Sequence, residues 1–560
     1  MEILRIENLS FTYPEANEPA VKAANIGIEE GNFVLLCGKS GCGKSTLLKL
    51  IKKELRPYGN QEGEVFYNGN AISQTDDKIS ASQIGFILQN PDSQIVTDTV
   101  WHELAFGLEN LGLNKWIIRR RVAEMASYFG IEDWFHKKTD KLSGGQKQLL
   151  NLASVMVMHP KVLILDEPTA QLDPIAAANF IGTLYKLNRE LGLTVLVAEH
   201  RLEDVFPLAD KVILMEAGEI SYLGEPRKIS EFFKSHPENT MRDALPSAMR
   251  IFTLLEGNGE CPVTVREGRK YIAENYGNEV DAIQETPYNH SKEKAVELRE
   301  VFFRYKKELP DILRSATLSI YKNEHFCILG GNGSGKSTLL GLMAGLWKAY
   351  KGHIYIDGIP ISQYKQNELY IKKVAMLPQN PQTLFLENTV DKDLEKTCRI
   401  LKLGAEESER RIKEVADLLD IGHLLTKHPY DISGGEQQKA ALAKLLLLNP
   451  DILLLDEPTK GLDANAKQNV MKIIEGLKRQ GITVITVTHD IEFAAACADR
   501  VGLIFDGELV SSDVPNKFFA ENNFYTTFAN RISRGFYKNA ILCEQVAELC
   551  FKNRKGGDGK

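Results

Sequence analysis

Two stretches of the chain carry the residue types needed to hold a polyphosphate. Gly38-Lys39-Ser40-Gly41-Cys42-Gly43-Lys44-Ser45-Thr46 and Gly330-Gly331-Asn332-Gly333-Ser334-Gly335-Lys336-Ser337-Thr338 both fit G-x-x-x-x-G-K-[ST]. Glycines let the backbone curl until successive N–H groups face one anion, and a helix start adds partial positive charge. In this pattern Lys44 and Lys336 reach the β- and γ-phosphates, and the hydroxyls of Ser45 and Ser337 ligate Mg²⁺. Further on, Asp166-Glu167 and Asp456-Glu457 end apolar runs at 162–165 and 452–455. Such a pair divides the work of hydrolysis. Asp166 and Asp456 hold Mg²⁺ through water, while Glu167 and Glu457 orient and deprotonate the attacking water. His200 and His489, each just after another apolar run, are candidates for contacting the γ-phosphate.

Other residues gain meaning from recurring at fixed offsets. Gln89 opens Gln89-Asn90-Pro91-Asp92, matched by Gln379-Asn380-Pro381-Gln382. Ser143-Gly144-Gly145-Gln146 precedes a helical pattern, as does Ser433-Gly434-Gly435-Glu436. There the serine reads as an N-cap and the glycines as a second anion-binding helix start. Tyr13 and Tyr305 lie before the loops, where a ring stacks on adenine or simply half-buries in a strand.

These residues need elements to position them. Apolar runs at 33–37 and 326–329 lead into the phosphate loops as strands, and helical patterns at 47–51 and 339–344 lead out. Unbroken apolar strands such as 162–165 belong to parallel sheets covered on both faces. Residues 3–36 alternate apolar runs and turns as an antiparallel edge sheet would, 64–89 read as further strands, and 101–128 read as one helical stretch. Arg119, Arg120 and Arg121 read as its wetted face rather than a nucleic-acid patch. Residues 170–173 and 460–463 read as short turns.

The offset is 292 at Tyr13/Tyr305 and Lys44/Lys336, 290 at Gln89/Gln379, Ser143/Ser433 and Asp166/Asp456, and 289 at His200/His489. So small a drift is a tandem duplication rather than a solenoid. The 560 residues allow several domains, and 43% hydrophobic and 26% charged residues are ordinary globular values. A net charge of −7 argues against a general nucleic-acid binder. No run is long enough to span a bilayer, and residues 1–5 do not form a signal segment. Eight scattered cysteines without metal spacing fit a reducing cytosol.

On these motifs, both halves resemble the nucleotide-binding domain of ATP-binding-cassette (ABC) proteins. The resemblance implies an α/β fold with two tandem phosphate-loop domains. Each would have a mostly parallel core sheet, an antiparallel edge sheet and a helical subdomain. It places a first cassette at 1–235, a small helical extension at 236–293, a second cassette at 294–515, and a helical extension with a disordered tail at 516–560. It implies ATP and Mg²⁺ as cofactors, with Gln89 and Gln379 joining the serine and aspartate ligands. In that family two cassettes pack head to tail, which would pair Lys44 with Ser433–Glu436 and Lys336 with Ser143–Gln146 inside one chain.

Residues 86–94 with Val100, Glu103 and Ala105-Phe106-Gly107 look like the fused ATPases of energy-coupling-factor (ECF) transporters, importers of vitamins and transition-metal ions. That likeness implies two membrane subunits as partners, a transmembrane coupling protein and a substrate-binding component. It implies no nucleic acid, and a peripheral place on the cytoplasmic membrane face. The second half, at 377–381, fits less closely. A soluble twin-cassette ATPase acting on ribosomes is the alternative, but Pro246, Gly257, Gly259, Pro262 and Gly268 break the long charged helix such proteins use as a linker. A DNA-repair cassette would need a coiled coil that 47–141 is too short to hold.

Two departures stand out. Glu436 replaces the usual glutamine, which adds a carboxylate near a γ-phosphate unless it turns away, so the two sites are expected to turn over unequally. Cys42 is either a tolerated small residue or an exposed thiol that sensitises the first site to alkylation.

Overall fold

The computed structural model describes residues 1–14, 16–276, 283 and 291–553. The chain divides into two compact units, Met1–Glu267 and Gly268–Lys560. No helix among the described residues is long and apolar enough to cross a membrane.

In the first unit the strands run β1 (Glu2–Thr12), β2 (Val21–Glu29), β3 (Phe33–Gly38), β4 (Asn60–Tyr67), β5 (Asn70–Ala71) and β6 (Ile84–Ile87). Then come β7 (Val162–Asp166), β8 (Thr194–Ala198), β9 (Lys211–Glu216) and β10 (Glu219–Gly224). They build an antiparallel sheet of order β2-β1-β4-β5 and a six-stranded sheet of order β10-β9-β3-β8-β7-β6. The second sheet is parallel from β9 to β6, with β10 antiparallel at its edge. Every residue of β3, β7 and β8 is buried, as apolar runs without alternation require. Each fully buried Leu, Ile or Val there contributes roughly 1.5–3 kcal/mol.

The register fixes the site. Leu36 of β3 pairs with Ala198 of β8, which pairs with Asp166 of β7. The three strands therefore end side by side, and everything that follows them leaves at one edge of the sheet, where open α/β sheets bind ligands.

The second unit repeats this with β11 (Lys294–Phe303), β12 (Leu313–Tyr321), β13 (His325–Leu329), β14 (Lys351–Ile356), β15 (Ile359–Pro360) and β16 (Val374–Leu377). Its last strands are β17 (Ile452–Asp456), β18 (Thr483–Thr488), β19 (Arg500–Phe505) and β20 (Glu508–Asp513). The sheet orders are β12-β11-β14-β15 and β16-β17-β18-β13-β19-β20. Leu329 pairs with Thr488, and Val487 with Asp456, so the same three strand ends align.

Three expectations change on folding. The edge-sheet pattern of 3–36 holds through β2, but Phe33–Gly38 crosses into the parallel sheet. Within 64–89 lies a helix, Asp77–Gln83, started by Asp76, whose side chain accepts from the N–H groups of Lys78 and Ile79. The stretch 101–128 is two helices, Val100–Asn110 and Lys115–Tyr128. Gly112 turns the chain between them at φ 74°, and the Asn114 side chain caps the second by accepting from Trp116 and Ile117.

Helices Ser247–Leu254 and Val265–Asn275 lie within 236–293. Helices Phe528–Ser533 and Cys543–Lys552 lie within 516–560. The expected tail beyond residue 553 and most of 277–290 lie outside the described residues.

Candidate functional site

Each phosphate loop links a buried strand to a helix, Lys44–Ile51 in the first unit and Lys336–Met343 in the second. Gly43 and Gly335 hold φ 103° and 99° at the helix starts, a conformation that glycine tolerates. A Cβ on Gly43 would also meet Ala20 O at 2.1 Å. Lys44 Nζ donates to the carbonyls of Gly38 (2.9 Å) and Lys39 (3.0 Å), and Lys336 Nζ to those of Gly330 and Gly331 (3.0 Å each). Each ammonium is thus folded back over its own loop, on oxygens that a phosphate's oxygens would replace.

The serine and aspartate of each pair meet. Ser45 Oγ donates to Asp166 Oδ1 at 2.9 Å, and Ser337 Oγ to Asp456 Oδ1 at 3.2 Å. Burial raises both aspartates above the ordinary carboxylate range, with the serine hydrogen bond opposing it. A hydroxyl and a desolvated carboxylate converging at a sheet edge form a hard-oxygen donor set of the kind Mg²⁺ takes.

Glu167 and Glu457 occupy left-handed backbone conformations, φ 46° and 51°, uncommon for residues with a side chain. Each is pinned by its own N–H, donated to Ala198 O (3.0 Å) or Val487 O (2.9 Å). Their carboxylates are buried against the histidines: His200 Nε2 lies 2.8 Å from Glu167 Oε1, and His489 Nδ1 lies 2.9 Å from Glu457 Oε2. Burial acts to raise the Glu457 carboxyl, but the hydrogen bond and charge of His489 outweigh it and hold it below its ordinary value.

Gln89 Nε2 donates to Glu167 Oε2 at 2.6 Å, whereas among the described residues Gln379 makes no hydrogen bond to Glu457. Tyr13 and Tyr305 stand partly exposed, their hydroxyls 3.1 and 3.0 Å from Thr46 Oγ1 and Thr338 Oγ1. Tyr305 also meets Trp347 edge-on, with ring centroids 5.4 Å apart.

The serines do cap helices, Gly144–Met156 and Gly434–Leu446. Among the described residues neither segment bonds to the phosphate loop of its own unit. Both form reciprocal capping boxes: Ser143 N donates to Gln146 Oε1 (3.0 Å) and Ser433 N to Glu436 Oε2 (2.8 Å). Glu436 therefore turns its carboxylate back into its own helix start. Burial acts to raise that carboxyl, but hydrogen bonds from Ser433 prevail and lower it. The geometry gives no basis for unequal turnover at this residue.

Cys42 is 6% exposed, with its sulfur tucked toward Gly38, so the expectation of an exposed thiol fails. Asp173 and Asp463, expected in plain turns, are N-caps that accept from Ala176 and Ala466 at 2.8 and 2.7 Å.

Several further residues around the site carry little signal in sequence. Glu199 is buried under the first acid pair, accepting from Thr169 N at 3.0 Å. Thr488 Oγ1 donates to Glu457 Oε2 at 3.2 Å. The Gln89–Asp92 run is bonded to the capped helix, with Lys147 Nζ 2.5 Å from Asp92 Oδ1 and Asn151 Nδ2 donating to Pro91 O at 3.1 Å. Glu103 accepts from Val96 N and Thr97 N, and its counterpart Asp393 from Leu386 N and Glu387 N. Glu103 stood in the subfamily pattern read from the sequence, and its recurrence as an acid at Asp393 is the signal that could have marked the second.

The ABC transporter family profile matches residues 21–170 and 313–460. A protein of Bacillus thuringiensis subsp. konkukian (strain 97-27), named as an ABC transporter ATP-binding protein, is 43% identical over 97% of this chain and 98% of its own. One of the same name from Clostridium tetani is 37% identical over 80% of this chain and 98% of its own. The solved cbiO1 of Clostridium perfringens, described as part of the ABC transporter complex cbiONQ, is 33% identical, with a TM-score of 0.38. It aligns over 43% of this chain and 97% of that one.

Proposed function

The chain belongs to the ABC transporter family, and from this premise we propose that it is the ATP-hydrolysing motor subunit of an ECF-type importer for a vitamin or a transition-metal ion. It is an ATPase of two cassettes that binds ATP with Mg²⁺. The proposal adds that each ATP is closed between the phosphate loop of one cassette and the capped serine segment of the other. It adds also that the product of this cycle is movement in separate membrane subunits, with the chain held at the cytoplasmic membrane face.

In each cassette Lys44 or Lys336 leaves its loop carbonyls for the β- and γ-phosphates. Ser45 with Asp166, and Ser337 with Asp456, would hold Mg²⁺, which supplies neutralising charge to the phosphate oxygens. Glu167 or Glu457 takes the proton of the attacking water, and His200 or His489 keeps that carboxylate aimed. Tyr13 and Tyr305 offer rings to adenine.

One observation carries the motor reading. In the first unit the Gln89–Asp92 run touches the catalytic acid at one end, through Gln89, and the capped helix at the other, through Asp92–Lys147 and Pro91–Asn151. Whatever presses on that run is connected both to the chemistry and to the serine segment. The test is a tagged pull-down from detergent-solubilised membranes, with bound proteins identified by mass spectrometry. One or two small polytopic membrane proteins are expected. Ribosomal proteins without membrane proteins would overturn the transport role and leave the ATPase chemistry standing.

A further inference from the structure

The duplication runs past the two cassettes. Ala248, Arg250 and Ile251 recur as Ala529, Arg531 and Ile532, each 281 residues on. Each set lies in a helix, Ser247–Leu254 or Phe528–Ser533, and buries its alanine and isoleucine. The next helix begins alike in both: Val263 N donates to Glu267 Oε2 and Ile541 N to Gln545 Oε1, each at 2.9 Å. The two extensions therefore carry copies of one small two-helix element.

Both copies are fastened at the same place. Glu203 and Glu492 stand 289 residues apart, as His200 and His489 do, and each lies three residues after its histidine. Glu203 Oε2 accepts from Ser247 N at 2.8 Å and from Ser247 Oγ at 3.2 Å. Glu492 Oε1 accepts from Phe528 N at 2.9 Å. Both donors are the first residue of an extension helix, where the helix itself supplies no carbonyl to the amide. A carboxylate there takes up an orphan N–H and meets the positive helix end. The short helices that carry the glutamates, Leu202–Val205 and Ile491–Cys497, begin two residues past the histidines. The histidines in turn lie 2.8 and 2.9 Å from Glu167 and Glu457. The second extension is itself braced, since Thr527 Oγ1 donates to Ile541 O at 2.7 Å and Asn530 Nδ2 to Ala540 O at 2.9 Å. A line of contacts thus leads from each extension, through less than one helical turn of backbone, to the catalytic acid.

We propose that Glu203 and Glu492 are positioning residues, through which each extension sets where its cassette's histidine stands against the acid. The histidine acts on the acid rather than on the phosphate loop. Losing the contact therefore slows the chemical step and leaves the ATP KM as it was. This rests on the reading that Glu167 and Glu457 are the bases and that His200 and His489 aim them.

Steady-state ATP hydrolysis by the full chain is the measurement. Glu203→Ala with Glu492→Ala is expected to lower kcat about fivefold, with the ATP KM held within about twofold. Glu203→Gln with Glu492→Gln is expected to keep at least about half the rate, because an amide oxygen still accepts the N–H. The extension side is tested by Ser247→Pro. It removes both donors, yet proline suits the first helical position, and Pro246 is already extended at φ −49° and ψ 143°. In a Glu492→Ala chain, where the first site dominates, Ser247→Pro is expected to lower kcat about threefold. Once Glu203→Ala is present as well, it should add less than about 1.3-fold. An alanine pair within about twofold of the unaltered kcat overturns the inference, as does a glutamine pair as slow as the alanine pair. So does a proline cost that is the same in both backgrounds, which is what a purely structural extension would give. Should Ser247→Pro melt too low to assay, Ser247→Ala removes the hydroxyl bond alone and must show the same dependence at smaller size. Full turnover in His200→Ala with His489→Ala would instead sink the histidine reading beneath it.

Discussion

At Glu167 and Glu457 the backbone takes a left-handed turn that costs of order 1–3 kcal/mol for a residue bearing a side chain. Both units accept this cost at the same step, which aims the carboxylate back across the sheet edge toward the histidine. Replacing either with glutamine keeps the shape and removes the base, and steady-state ATP turnover is expected to fall about tenfold or more. Turnover unchanged in one variant would mark that site as silent.

Cysteine chemistry is settled at this scale too. Cys42 is buried, as are six of the other seven thiols, and Cys497 is partly exposed. Brief treatment of the folded protein with a small maleimide is expected to modify Cys497 before Cys42, read by mass spectrometry. The motif spacing alone picked out the loop, the acids and the histidines as candidates. It could not show which way a side chain turns. Glu436 turns into a local capping box with Ser433, whereas the burial of Cys42 and the Glu199–Thr169 contact depend on segments distant in sequence.

Among the elements, helix starts carry much of the local logic. Ser433 and Glu436 satisfy two backbone N–H groups of their helix reciprocally, and the negative side chain suits the positive helix end. Ser433→Ala is expected to cost about 1 kcal/mol in urea unfolding, and Glu436→Gln markedly less, because the amide oxygen can still accept. A second element-scale contact joins helix Ala464–Arg479 to the turn after β18, where Lys467 Nζ lies 2.5 Å from Asp490 Oδ2. Burial alone would raise the Asp490 carboxyl, but Lys467 and the N–H of Phe493 overcome it and hold it at about 2. A carboxyl depressed from 3.8 contributes stability above its unfolded value and loses it as pH falls through its folded one. That contribution is about 2 kcal/mol. Lys467→Met is expected to destabilise the protein at pH 7, with the difference from the unaltered chain shrinking between about pH 4 and pH 2 in urea titrations.

Legibility at this scale followed pattern strength. Fully apolar strands before charged residues, such as β7 and β17, were readable. The helix at Asp77–Gln83 was not, since seven mixed residues have too little period to distinguish from strand. The break at Gly112 was signalled by its glycine and by Asn114, and was outweighed by the long helical pattern on either side.

At the scale of the whole molecule, the duplication is the governing fact. Two units carry the same two sheet orders, the same strand-end alignment and the same loop and acid placement, though His200 meets its acid through Nε2 and His489 through Nδ1. The duplication was visible in sequence because insertions are few. The boundary between compact units at 267/268 was not, because it falls inside the helix Val265–Asn275 rather than in a Pro- or Gly-rich stretch. If the chain supplies both cassettes of a working pair, ATP turnover per chain should stay constant as protein concentration is varied a hundredfold. A rise with concentration would mean that chains must associate first.

The four tryptophans are shared unequally: Trp101, Trp116 and Trp134 fall in the first unit and Trp347 alone in the second, edge-on to Tyr305. That contact gives the second cassette a built-in optical reporter. Adenine stacking on Tyr305 would change the surroundings of the Trp347 indole, so excitation near the red edge of protein absorption should show an emission change on adding ATP. The change should vanish in Trp347→Phe and persist when Tyr13 is replaced by alanine, letting occupancy of one cassette be followed by light while the other goes unseen.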